Sequence, residues 1–135
     1  MRKSNTILIA ERNPNIRRFL RRELSACGYH VFNVENAKEL LKLVYSRSRI
    51  DLLVLDPNFP GMEAIETASK IANRIPQLPV VLYSILGNDD ISAFNAGNIF
   101  LVEKNGQSID ILKAVIQDIL KDTGIQEPSS LKLKR

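Results

Sequence analysis

Two hydrophobic periods alternate along this chain. Runs of four or five consecutive apolar residues recur, and between them apolar residues return every three or four positions. The first pattern reads as strands buried on both faces, the second as helices with one apolar stripe. Strands are predicted over 6–10, 30–34, 52–55, 79–83 and 99–102, the second of them short and half polar. A helical stripe follows each strand. The stripes are Ile16, Phe19, Leu20, Leu24 and Cys27, then Ala37, Leu40, Leu41 and Val44, then Ile65, Ala68, Ile71 and Ala72. A short helix is predicted over 89–96, and a last one carries Ile109, Leu112, Val115, Ile116 and Ile119.

The punctuation between these segments supports the division. Asn13 followed by Pro14 is a helix start, with a side-chain acceptor and then a fixed φ. Gly28 closes that helix. Asn36 with Glu39 resembles a capping box. The third helix is predicted to begin near Gly61 or Met62, and Pro76 and Pro79 delimit the loop after it. Gly97 closes the short helix, and Ser108 is expected to cap the last one, which should end at 123–124.

Five strands alternating with five helices imply an α/β fold with a parallel sheet, because each parallel crossover needs a helix and is right-handed. The expected architecture is a flavodoxin-like, doubly wound five-stranded sheet of order 2-1-3-4-5, with its switch point between strands one and three. One domain is expected over 1–123, with a polar tail over 124–135 read as a disordered terminus or linker. No internal repeat beyond the alternation is visible.

Composition changes this picture little. The chain has 135 residues, 44% hydrophobic and 25% charged, which is ordinary for one globular domain. No apolar run approaches the ~20 residues of a membrane span, and the run behind Met1-Arg2-Lys3 is too short for a signal peptide. No membrane association is expected, and a cytoplasmic location is the default. The single cysteine, Cys27, excludes an internal disulfide and is expected to be a small core residue. His30 stands alone, which argues against a structural zinc site. A net charge of +4 is mild. Arg17, Arg18, Arg21 and Arg22 make the first helix basic outside, but no aromatic residues interleave with them, so nucleic acid is an improbable partner.

The chemistry is concentrated where the third strand stops. Leu52 to Leu55 end on Asp56, and Pro57, Pro60 and Gly61 then force an ordered loop. Asp56 therefore sits at the carboxyl end of a central strand, where open α/β sheets place their ligands. The next helix begins too far on for Asp56 to be its cap. With the expected strand order, Glu11 and Arg12 after strand one, Ser84 after strand four and Lys104 after strand five converge on it.

The stretch Asp56-Pro57-Asn58-Phe59-Pro60-Gly61-Met62 resembles the phosphoacceptor segment of response-regulator receiver domains, and the resemblance extends from Ile7 to about Leu120. It implies that Asp56 takes a phosphoryl group from a histidine kinase or phosphotransfer protein, and that the chain acts through an output partner in two-component signalling. It also implies that Ser84 hydrogen-bonds the phosphoryl group and that Lys104 pairs with it. In that family two acidic residues after strand one join the acceptor in holding Mg²⁺. Glu11 matches the first acid, but Arg12 stands in place of the second. The family's switch aromatic falls on Leu101, next to Phe100.

Arg12 alters the expected metal chemistry. A guanidinium is always protonated and offers no lone pair. Glu11 and Asp56 face Arg12 and Lys104, formally neutral, where three carboxylates and one Lys would leave −2 for a divalent ion. The Mg²⁺ site of Glu11 and Asp56 is thus expected to be weakened.

Other functions fit less well. Aspartate-based phosphatases carry a second Asp two residues after the nucleophile, and Asn58 stands there. Glu11-Arg12-Asn13-Pro14 is a poor phosphate cradle for a flavin. The chain is therefore read as a signalling module and not an enzyme. Two readings remain: a receiver switched by phosphorylation of Asp56, or a pseudo-receiver that binds partners without it because Arg12 replaces a metal ligand.

Overall fold

In a computed structural model of the chain, the described residues are 4–46, 48–61, 63–74, 77–84, 98–105 and 108–121. They form β1 (Thr6–Ala10), α1 (Pro14–Ala26), β2 (His30–Asn33), α2 (Ala37–Val44), β3 (Leu52–Leu55), α3 (Ala64–Ala72), β4 (Val80–Ser84), β5 (Ile99–Glu103) and α4 (Ser108–Lys121). The helix predicted over 89–96 and the tail over 124–135 lie outside the described residues. All four strand pairings are parallel, in the order β2-β1-β3-β4-β5. The flavodoxin-like doubly wound sheet is therefore the fold. Among the described residues no helix is long and apolar enough to cross a membrane.

Alternate strand residues point to opposite faces, and each face has its own core. Leu8, Leu53, Leu55 and Leu82 pack with Leu40 and Val44 of α2 and with Ala68 and Ile71 of α3. Ile7, Ile9, Val54 and Val81 pack with Leu20 and Leu24 of α1 and with Leu112 and Ile116 of α4. The continuous apolar runs of β1, β3 and β4 follow from this double coverage.

The caps explain the helix boundaries. Asn13 Oδ1 accepts the N–H groups of Asn15 at 2.8 Å and Ile16 at 3.2 Å, with Pro14 opening α1. Asn36 Oδ1 accepts the Glu39 N–H at 2.8 Å, while Glu39 Oε1 reaches back to the N–H of Glu35. Gly28, at φ +97°, turns the chain out of α1 in a conformation that a side chain would strain.

Several expectations need correction. Cys27 is exposed rather than part of the core, because α1 ends at Ala26 and Cys27 is its C-cap. Phe19 is 37% exposed, at the margin of the stripe, with the Arg22 guanidinium 5.4 Å from its ring centre. Helix α3 begins at Ala64, later than predicted, because Gly61 at φ +90° still belongs to the loop after β3. A Cβ on Gly61 would also come within 3.3 Å of Ala37 Cβ, so this loop is packed against α2. Ser108 is the first residue of α4, and its hydroxyl faces Tyr83 and the Asn105 carbonyl.

Candidate functional site

Register brings the site together. Ala10 pairs with Leu55, so the residues that follow, Glu11 and Asp56, emerge side by side, and the Asp56 N–H donates to Ala10 O at 2.8 Å. At the other side Ser84 pairs with Glu103, and the Lys104 N–H donates to the Ser84 carbonyl at 2.6 Å. Three neighbouring strands and the edge strand β5 thus deliver Glu11, Asp56, Ser84 and Lys104 to one end of the sheet. Glu11 and Asp56 are each only 2% exposed, and Ser84 is buried.

The loop holds the Asp56 carboxylate in place. Its Oδ1 accepts the Asn58 N–H at 2.8 Å, and its main-chain carbonyl accepts the Phe59 N–H at 2.9 Å. Phe59 is buried in the α2–α3 core and anchors the turn. The cap of α3 is Glu63, so Asp56 is free of a capping role.

Oδ2 faces positive charge. It accepts the Arg12 N–H at 3.3 Å, and the Arg12 Nε lies 3.6 Å away. Lys104 Nζ is 3.9 Å from the same oxygen. That ammonium sits closer to Glu11, 3.0 Å from Oε1 and hydrogen-bonded to Oε2 at 3.3 Å. Lys104 Nζ also lies 5.6 Å from the centre of the buried Tyr83 ring, within cation–π range. Oε2 of Glu11 accepts the Asn13 N–H at 3.1 Å, while Oε1 makes no aligned hydrogen bond. Burial pushes the Glu11 carboxyl above the ordinary carboxylate range. Its bonds from Lys104 and Asn13 pull it back, and the nearby Asp56 charge adds to the upward push.

Two contributors escaped the sequence reading. Arg17 belongs to the basic outer face of α1, yet its Nη1 donates to the Glu11 carbonyl at 3.0 Å and ties the β1–α1 loop to the helix. Side chains of a helix lean toward its N-terminus, so a long residue in its first turn was a usable signal. The second is the chain from Tyr83 through Ser108 to Asn105, which links the end of β4 to the start of α4. Leu101, at the switch-aromatic position, is 51% exposed, whereas Phe100 is partly buried against the α1–α4 core.

The donor set, as arranged, does not suit Mg²⁺. A hard cation needs several oxygen ligands in a near-octahedral shell. Two carboxylates are present, and each is already faced by a cation within 4 Å. Among the described residues no group of three His, Cys, Asp or Glu is placed to hold a metal ion.

Known proteins are similar to this chain in sequence and shape. A family model for the response regulator receiver domain matches residues 7–116. The sensor protein EvgS of Escherichia coli K12 is 28% identical over 116 residues, covering 86% of this chain and 9% of EvgS. This chain thus spans a small part of that relative. The response regulator TrrA of Thermotoga maritima, solved in complex with Mg²⁺-BeF, superposes with a TM-score of 0.72 at 29% identity, covering 85% of this chain and 98% of TrrA. TrrA in complex with the histidine kinase ThkA gives 0.69 at 29% identity, over 86% of this chain and 98% of TrrA. With the family model spanning most of the sequence and this fold beneath it, the chain belongs to the response regulator receiver domain family.

Proposed function

We propose that this receiver accepts a phosphoryl group on Asp56 from a histidine kinase or phosphotransfer protein and changes its hold on an output partner in response. The observation that carries the reading is the convergence of Asp56 and Lys104, 3.9 Å apart, at the carboxyl edge beside Ser84. An Asp56 oxygen attacks phosphorus as the P–N bond to the donor imidazole breaks. The imidazole leaves with the bonding pair and takes up a proton. Lys104 then faces the new phosphoryl charge, and the Ser84 hydroxyl hydrogen-bonds one of its oxygens. The exposed Arg18, Arg21 and Arg22 of α1 offer an acidic donor a basic face.

A second reading has its own support. Arg12 Nε lies 3.6 Å from Asp56 Oδ2, so the acceptor already has a counter-charge within the chain. A pseudo-receiver would keep that pair and bind its partner without phosphorylation.

Intact mass after incubation with a small phosphodonor separates the two. A phosphoryl adduct on the native chain that is absent from Asp56→Ala is the expected result. No adduct on the native chain, with an adduct on Arg12→Asp, would favour the pseudo-receiver. An adduct that persists in Asp56→Ala would remove the acceptor assignment itself.

A further inference from the structure

We infer that Arg12 supplies the cation of this pocket from the chain itself, and that the pocket is closed to Mg²⁺. The inference rests on the reading of Glu11 and Asp56 as the acidic end of a receiver site. It concerns how that end is neutralised, whichever way the protein signals.

Three observations converge on it. First, Asp56 Oδ2 accepts the Arg12 N–H at 3.3 Å and lies 3.6 Å from Arg12 Nε and 3.9 Å from Lys104 Nζ. An ion bound to that oxygen would sit beside two positive charges. Second, Glu11 is already engaged by donors of the chain. Its Oε1 is 3.0 Å from Lys104 Nζ, its Oε2 accepts from Lys104 and Asn13, and its main-chain carbonyl accepts from Arg17. Third, the local backbone does not favour a cation at position 12. Arg12 directly precedes Asn13, the cap of α1, and the first turn of that helix has no acidic residue. The N-terminal end of a helix repels positive charge. Asp56 is the group that compensates Arg12, and Glu11 and Asp56 together balance Arg12 and Lys104. A divalent ion would find these charges already balanced and, among the described residues, no third carboxylate grouped with them to join.

Arg12 is 57% exposed, so solvent competes for its side of the pair. The test therefore reads ion binding directly. Backbone amide spectra of the full chain are recorded with Mn²⁺ as a paramagnetic probe, and melting is followed with and without millimolar MgCl₂. The native chain, Arg12→Asp and Arg12→Gln are compared. For the native chain we expect no broadening centred on the amides of Arg12, Asn13 and Asn58 and no change in melting with MgCl₂. Arg12→Asp should melt lower without metal, recover with MgCl₂ and bind Mn²⁺ at least about tenfold more tightly, as the reversal of a charge beside two carboxylates requires. Arg12→Gln, which removes charge without adding repulsion, should fall between them and decides the matter if Arg12→Asp does not fold.

Native binding at this site as tight as in Arg12→Asp would overturn the inference. So would folded Arg12→Asp and Arg12→Gln that bind no better than the native chain. Neither readout depends on phosphoryl transfer, so the acceptor role of Asp56 stands or falls separately.

Discussion

Ser108 has one hydroxyl proton, and the Asn105 carbonyl 2.9 Å away can only accept it. Tyr83, 2.6 Å on the other side, is therefore the donor to Ser108. Both residues are buried. Tyr83→Phe removes one bond and leaves Ser108 paired, which should cost about 1 kcal/mol. Ser108→Ala strands the Tyr83 hydroxyl and should cost more, about 1–3 kcal/mol, in urea denaturation. The double variant should lose less than the sum, because both changes remove the same bond. Equal single costs that add would mean the bond is not made in solution. The cations of the site differ in a similar way. Lys104 faces a carboxylate that is 2% exposed, so Lys104→Met should destabilise by about 3 kcal/mol, the penalty of an uncompensated buried charge. Arg12 is 57% exposed, and Arg12→Gln should cost less than about 1 kcal/mol. Residue identities at the strand ends were legible in the sequence because strand period and turn residues fix where a strand stops. The pairing of Lys104 with Glu11 more closely than with Asp56 was not, since side-chain rotamers decide it.

Helix α1 shows how far elements can be read. Its start was legible from Asn13-Pro14 because capping is local chemistry. Asn13→Ala removes an acceptor for two N–H groups and should lower stability by about 1 kcal/mol, seen as a lower melting temperature. Its far end was legible from Gly28, but the exposure of Cys27 was not. Cys27 continues the apolar spacing but is the C-cap, and its side chain is exposed. The start of α3 was misjudged for a related reason, since the loop after β3 keeps Gly61 before the helix can begin. Between elements, Glu23 of α1 and Lys113 of α4 meet at 2.8 Å. The bond from Lys113 holds the Glu23 carboxyl below its ordinary value, and the same bond raises Lys113. Glu23 thus adds stability at neutral pH that is lost as pH falls from the ordinary glutamate pKa through the depressed one. Lys113 adds stability that is lost as pH rises through its raised pKa. Thermal melts across pH should show both limbs weakened in Glu23→Gln, and an unchanged profile would mean the pair is broken in solution.

At the scale of the whole molecule, alternation of elements was enough to give the strand order, because parallel crossovers leave few topologies open. It also gave the two-sided core. Leu53, fully buried on the central strand, should cost about 3 kcal/mol as Leu53→Ala in urea denaturation, the range for a large core truncation. What alternation could not give was the electrostatic balance of the site, which depends on side chains brought together from distant parts of the chain.

That distance has a consequence for how the protein comes into being. Glu11 and Lys104, which form the closest ion pair of the site, are separated by 93 positions. A ribosome makes Asp56 well before Lys104, and Lys104 reaches its place only when β5 docks on β4 at the edge of the sheet. Until then the growing chain carries two acids that will be buried and lacks one of their two cations. The pocket therefore cannot be complete until β5 has docked, and a chain released early would carry Glu11 and Asp56 without Lys104.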